Sequence, residues 1–249
     1  MTDAEPTRYF FVHLQKTAGT TLSHRLMRHF GRAEFYPNDS DGDAVDASLS
    51  VDHLLERWRE RGSEIRMVRG HFPLCTTELL GVPFTTMTVL REPVERTLSL
   101  LRHHKRFHRD DPRTLEQIYD DPFRFRGQIH NHMVKMLSLT TDEMTGWALT
   151  EVDFGPEHLD RAVAALDAME VVGLQDDLES FCAELTQRFG WDLGEPAFLN
   201  QTDADAEPAT EAFRLRIATD NALDQALWEH AQVLVARRAA APRDALQER

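Results

Sequence analysis

Hydrophobic positions along the chain switch repeatedly between a short continuous run and a helical repeat. Tyr9 to Leu14 is aromatic and β-branched without a polar break, the pattern of a buried strand. Leu22, Leu26 and Phe30 then recur at helical spacing and predict a helix stopped near Gly31. Pro37 to Asp46 is acidic and turn-rich, lacks the spacing of a calcium loop, and reads as a solvated loop. Val51, Leu54, Leu55 and Trp58 mark a helix ended by Gly62. Strands are predicted at Ile65 to Gly70, Phe84 to Leu90 and Val171 to Leu174. Pro93 opens a helix after the second of these, as proline does at a first helical turn. Residues 112–125 predict a short helix between Pro112 and Pro122, and Ile129, Met133, Met136 and Leu137 another. Later helices carry Leu159, Val163, Leu166 and Met169, then Leu178, Phe181, Leu185 and Phe189, then Leu223 to Leu234. Gly194 to Pro208 reads as an acidic loop, and residues 1–7 and 241–249 as polar tails. Buried strands alternating with helices predict an α/β fold, a mainly parallel sheet covered on both faces, in one domain spanning 1–249.

Composition changes this picture little and charge more. Apolar residues make up 41% and charged residues 28%, ordinary for a globular chain. A formal net charge of −14 argues against a broad nucleic-acid or polyanion surface, while leaving room for a local basic pocket. Arg91 to Arg113 is such a local excess, with seven Arg and Lys against four Asp and Glu. Cys75 and Cys182 are too few for a disulfide framework and read as small buried hydrophobes. No stretch has the length of a membrane-spanning helix, and the first eight residues hold no signal-peptide core, so a cytoplasmic protein without integral membrane contact is expected.

The chemistry concentrates at strand ends. Between the first strand and first helix lies Gln15-Lys16-Thr17-Ala18-Gly19-Thr20-Thr21. A small-residue loop feeding a helix N-terminus offers free N–H groups and a dipole to an anion, with Lys16 and three threonine hydroxyls beside it. An ordinary strand–turn–helix with a threonine cap fits the same pattern. The order of Lys16 before Gly19 is not that of a Walker A loop, which weakens an ATP- or GTP-hydrolysing reading. His71 follows the second strand immediately after Gly70, either at a ligand crevice or as a surface histidine. His13 ends the first strand and is a competing base or a packed histidine. His103, His104, His108, His130 and His132 match no zinc spacing, so no metal is expected. His103, His104, Lys105 and Arg106 line an acceptor cleft or form a solvated helix face.

Three stretches together resemble the sulfotransferase superfamily, most nearly its carbohydrate, heparan 2-O-type branch. The opening FVHLQKTAGTT is similar to the loop that binds the 5′-phosphosulfate of 3′-phosphoadenosine 5′-phosphosulfate (PAPS) in that family. REPVERTLS is similar to the signature that binds the 3′-phosphate, and Gly70-His71 to the Gly-His that carries the acceptor-activating histidine. Asn131-His132, VVGLQDDLESF, Asn200 and DNALDQALWEHA extend the resemblance over nearly the whole chain. Gln15 stands where the family has Pro, and Glu92 where it has Asp.

The resemblance implies a P-loop-like three-layer α/β/α fold and direct in-line transfer of a sulfuryl group from PAPS to an acceptor hydroxyl, of a sugar or glycolipid, without metal. It assigns cofactor binding to Lys16, Thr17, Ala18, Gly19, Thr20, Thr21, Arg91 and Ser99, and catalysis to Lys16 and His71. Lys16 would neutralise charge on the leaving phosphate and His71 would take the acceptor proton. A P-loop-like nucleotide kinase and a non-catalytic nucleotide-binding module are the competing readings; nucleic acid is not an expected partner.

Overall fold

The computed structural model describes residues 6–144, 149–195 and 207–240. Its elements run β1 (Tyr9–Val12), α1 (Gly19–His29), a 3₁₀ turn (Arg32–Glu34), β2 (Phe35–Tyr36), α2 (Ala44–Leu49), α3 (Val51–Arg61), β3 (Met67–Gly70), α4 (Thr76–Leu80), β4 (Thr85–Leu90) and α5 (Pro93–Phe107). There follow α6 (Leu115–Tyr119), α7 (Pro122–Arg124), a π-helical turn (Phe125–Ile129), α8 (His132–Ser138), α9 (Pro156–Ala168), β5 (Val171–Leu174), α10 (Leu178–Phe189), α11 (Glu211–Asp220) and α12 (Ala222–Ala240).

The five strands form one sheet in the order β2-β3-β1-β4-β5, and all four pairings are parallel. Parallel strands need crossovers, so each strand is followed by helix, and both sheet faces are covered. Alternation along β1 divides the core. Phe10 and Val12 join the cluster formed with α3, α8, α9 and α12. Tyr9 and Phe11 join Leu22 and Leu26 of α1, Phe181 and Leu185 of α10, and Trp191. The result is a three-layer α/β/α sandwich. Phe10 and Phe11 are wholly excluded from solvent, and each such ring contributes about 1.5–3 kcal/mol. The central strand is thereby pinned on both faces, and with it the loop at its carboxyl end.

Several elements differ from the sequence expectation. β2 is only two residues long, too short for a period to register, yet it pairs with β3 through Phe35↔Met67 and Tyr36↔Val68. The acidic stretch after it is not wholly solvated. Asp41 is buried and accepts from Arg61 Nη2 at 2.6 Å and Nε at 2.9 Å, while Asp43 caps α2. The helix expected over 112–125 is divided into α6, α7 and a π-helical turn. Helices α4 and α11 were not expected. Helix α1 ends one residue before its expected stop, with Phe30 as C-cap. The tail residues 1–5 and 241–249, most of the acidic loop (196–206, with Asn200) and 145–148 lie outside the described residues.

Two distant segments cap each other. Asp224 of α12 accepts from the N–H groups of Met133 (3.1 Å) and Val134 (2.8 Å) at the start of α8. Asn131, held at φ 45°, accepts from the N–H groups of Leu223 (3.1 Å) and Asp224 (3.2 Å) at the start of α12. Each helix N-terminus supplies the acceptor the other lacks. Both segments belong to the downstream stretches singled out in the sequence.

Candidate functional site

The carboxyl ends of β3, β1 and β4 lie side by side, since Val12 is level with Gly70 on one side and Thr88 on the other. The chain moves away from β1 in opposite directions, to β3 and to β4, so this is the switch point where open α/β sheets bind ligands. Residues 13–18, His71 and Arg91 all emerge here.

The loop from β1 to α1 has the backbone geometry that an anion cradle requires. Lys16 and Ala18 hold left-handed backbone at φ 69° and 66°, a conformation that costs non-glycine residues about 1–3 kcal/mol each and concentrates at binding sites. The backbone N–H groups of Lys16 to Thr21 donate to no protein acceptor, among the described residues. They therefore point a row of unsatisfied donors at the start of an 11-residue helix. The Thr17 hydroxyl is not available as a donor to a ligand, because it is buried and donates to the Leu14 carbonyl at 2.9 Å. Thr20 is exposed and Thr21 half-buried, and neither hydroxyl has a protein partner. Gln15 is buried with Oε1 unpaired.

His13 is packed beneath this loop. Its ring is buried, and a Cβ at Gly19 would overlap His13 Nε2. Glycine is thus required where the helix begins. On its other side the His13 ring stacks on His71 with centroids 4.2 Å apart. The His13 carbonyl accepts from His71 Nδ1 at 2.7 Å. That bond fixes the His71 tautomer, so its Nε2, without a protein partner, carries the lone pair. Burial, opposed by the His13 carbonyl and reinforced by Arg69 and Lys16, brings the His71 pKa down to about 4. The imidazole is neutral at pH 7 and able to accept a proton.

On the other side of the loop, Arg91 leaves the end of β4 and donates from Nη1 to the Lys16 carbonyl at 3.1 Å. Its Nε is buried and unpaired. Glu92 is the N-cap of α5 and accepts from Val94 N (3.1 Å) and Glu95 N (2.7 Å). The longer carboxylate therefore fills a capping role and orients the strand-to-helix turn that carries Arg91. Ser99 is half-buried about two turns into α5. Burial, then Arg106 and Arg91, lowers the Lys16 pKa to about 8. The charges acting on Lys16 are all positive, a repulsion that an anion beside them would relieve.

The four basic residues of α5 divide. His104 is buried and bonded to Asp111 at 2.7 Å, and Lys105 donates to the carbonyls of Asp111 (3.0 Å) and Arg113 (2.8 Å). These two hold the helix end. His103 lies near Lys16 and Arg106, which with burial bring its pKa down to about 4, and it contacts Phe107 at 4.5 Å. His132 is buried with both ring nitrogens unpaired; burial, then Arg96, Lys135 and His71, disfavours its protonation.

Sequence reasoning passed over Arg69. It sits on β3 opposite Phe11, two residues before His71, and acts electrostatically on both His13 and His71. Its Nε is buried, and the side chain makes no hydrogen bond or ion pair with any described residue. A charged residue inside a buried strand was the available signal.

Strand order defines a three-layer α/β/α protein, with unpaired loop N–H groups and cationic side chains gathered at the sheet's switch point. A crystal structure of a sulfotransferase from Alicyclobacillus acidocaldarius shares this fold, with a TM-score of 0.52 at 13% identity, over 98% of this chain and 100% of that one. No protein family matches the chain. No curated protein matches it.

Proposed function

We propose that the chain is a PAPS-dependent sulfotransferase that transfers a sulfuryl group to an acceptor hydroxyl. The observation that carries this is the row of unpaired N–H groups from Lys16 to Thr21, bonded through the Lys16 carbonyl to Arg91. One anion subsite lies in the loop and a second cation stands across it on β4, which suits a ligand charged at both ends better than a nucleoside triphosphate held through magnesium. The fold likeness and the FVHLQKTAGTT and REPVERTLS motifs support the same reading, and the motifs favour the carbohydrate, heparan 2-O-type branch. A sugar or glycolipid hydroxyl is the acceptor that branch implies. PAPS supplies an activated sulfuryl group and a phosphate leaving group.

The loop N–H groups hold the 5′-phosphate, and Arg91 with Ser99 holds the 3′-phosphate. Lys16 would neutralise the charge that grows on the bridging oxygen as its bond to sulfur breaks. His71 Nε2 takes the proton as the acceptor oxygen forms its bond to that sulfur, and the His13 carbonyl stabilises the resulting imidazolium through Nδ1. Products are the sulfate ester and 3′,5′-adenosine bisphosphate. Among the described residues no metal-holding group of three acidic, His or Cys side chains occurs, and no helix is long and apolar enough to cross a membrane. The proposal places the reaction in the cytoplasm.

Calorimetry with 3′,5′-adenosine bisphosphate and with ATP tests the assignment. The bisphosphate is expected to bind more tightly, and Arg91→Ala to weaken it at least about tenfold, since a charge-assisted phosphate contact is worth about 1.5–3 kcal/mol. Equal affinity for ATP, or an unchanged Arg91→Ala, overturns it in favour of a kinase-like site. Tight bisphosphate binding with no turnover of any hydroxyl acceptor identifies a binding module instead.

A further inference from the structure

Two stretches singled out in the sequence play no part in the proposed reaction: Asn131-His132 and the one that begins Asp220-Asn221. They meet at a cavity of about 270 Å³, where the starts of α8 and α9 face the junction of α11 and α12. The volume lies below the range of drug-sized sites and suits a ligand of few heavy atoms.

Asn131 supplies a fixed donor to this cavity. The residue is 4% exposed. Its Oδ1 accepts from the N–H groups of Leu223 and Asp224, so the amide cannot be turned round without setting its NH₂ against both of them. Nδ2 therefore points away from α12. It donates to no described residue and is not an enclosed atom, so its exposed area opens on the cavity that Asn131 lines.

The remaining polar groups are acceptors. Asp220 Oδ2 accepts from the Tyr119 hydroxyl at 2.8 Å, while Oδ1 has no partner among the described residues. Arg216 is shared between Asp120 at 2.5 Å and Asp220 at 3.7 Å, which leaves two carboxylates to one guanidinium. The carbonyls of Thr219 and Asp220 stand at the carboxyl end of the 10-residue α11 and accept from no backbone N–H among the described residues. That end of a helix carries partial negative charge. The Thr219 hydroxyl is spent on the Leu215 carbonyl at 2.9 Å. Beside these acceptors the rings of His130 and Phe154 meet at 88° with centroids 5.3 Å apart. Burial lowers the His130 pKa against the pull of Asp220, so this aromatic corner is uncharged at pH 7.

An unpaired carboxylate oxygen, the negative end of a helix and two π faces together call for a cation. Acceptors that lack N–H partners call for a primary ammonium rather than a quaternary one. Asn131 Nδ2 calls for an oxygen acceptor, and the same carboxylate disfavours an anionic oxygen there. A formal net charge of −14 also favours the arrival of a cation.

We infer that this cavity is a binding site for an amino alcohol, a primary ammonium with a neutral oxygen close by, free or as a lipid headgroup. Asp220 Oδ1 takes the ammonium and Asn131 Nδ2 the oxygen. The cavity shares no lining residue with the loop of Lys16 to Thr21, and the inference does not rest on the transfer reaction.

Three probes of equal size test it: ethanolamine, propylamine and ethylene glycol, each titrated into the full chain and followed by NMR. Ethanolamine is expected to bind at least about tenfold more tightly than ethylene glycol, as a charged contact implies, and about two- to tenfold more tightly than propylamine, as a neutral hydrogen bond implies. Asp220→Asn keeps an acceptor for the Tyr119 hydroxyl and should remove the advantage over ethylene glycol. Phe154→Leu keeps an apolar wall without a π face; it should weaken both amines about two- to fivefold and leave ethylene glycol unchanged. Equal binding of ethanolamine and ethylene glycol, including no binding of either, overturns the inference. So does an advantage that survives in Asp220→Asn, which would place the ammonium elsewhere. Propylamine bound as tightly as ethanolamine overturns it as well, since the oxygen would then have no partner. Sedimentation with phosphatidylethanolamine vesicles but not with phosphatidylcholine vesicles assigns the site to a lipid headgroup. Ethanolamine binding without sedimentation assigns it to a free amino alcohol.

Discussion

In the proposed transfer, Lys16 and His71 would set opposite limits on the pH at which the site can act. His71 serves as a base only when Nε2 is unprotonated, and burial with its cationic neighbours has brought its pKa down to about 4. Lys16 serves only when protonated, and burial with Arg106 and Arg91 has brought its pKa down to about 8. If the proposed transfer holds, kcat/KM should rise through about pH 4, stay level across neutrality, and fall through about pH 8. An acid limb near the ordinary histidine value of ~6.5 would detach His71 from the reaction. An alkaline limb beyond ~10 would detach Lys16. Because kcat reports the loaded enzyme, both limbs should move upward in kcat, as bound phosphates favour the charged forms of both groups. At this scale the sequence revealed what a residue's type and its place at a strand end reveal, namely Lys16, His71 and Arg91. It did not reveal Arg69. The absence of a partner is a property of everything packed around a side chain, and no local pattern records it. The same holds for Gly19, whose lack of a side chain is explained only by the His13 ring lying against it.

Among the elements, the mutual caps of α8 and α12 are what tie the end of the chain to the floor of the site. Asp224 is fully buried, and burial has raised its pKa to about 6 despite the nearby Arg96. Asp224→Ala leaves the Met133 and Val134 N–H groups unsatisfied and Arg96 with less counter-charge. A loss of about 2–4 kcal/mol is expected in urea denaturation, combining a cap and a weakened buried charge contact. Asp224→Asn keeps one acceptor oxygen and should lose less. Equal losses in the two variants would mean that the charge on Asp224, rather than its capping oxygens, matters to stability. The strands and long helices were legible because their apolar periods are regular over four residues or more. β2 was not, with two residues and no room for a period. Nor was α11, which buries only Phe213 and Ile217 along ten residues. The Asn131–Asp224 exchange joins segments about ninety residues apart in the chain and is invisible to any window. Glu92 shows a different limit: its residue type alone does not reveal that its carboxylate caps α5.

At the level of the whole molecule, alternating strands and helices were enough to predict a parallel sheet between helical layers. Strand order was not predictable, because pairing between β3, β1 and β4 is decided by contacts across the chain. That order nevertheless places an electropositive site in a protein of formal net charge −14. The two facts select ligands by size. A small dianion within the cradle meets Lys16, Arg91 and six free N–H groups at short range, where the surrounding acidic surface is screened beyond a Debye length of about 8 Å. A long polyanion must instead lie across that acidic surface, and its attraction to the cradle is opposed along the rest of its length. The full chain should therefore pass unretained through immobilised heparin at 150 mM salt while binding 3′,5′-adenosine bisphosphate under the same conditions. Retention on heparin that 3′,5′-adenosine bisphosphate does not displace would show a basic surface outside the cradle. It would return long sulfated polysaccharides to the acceptor classes that this charge distribution disfavours.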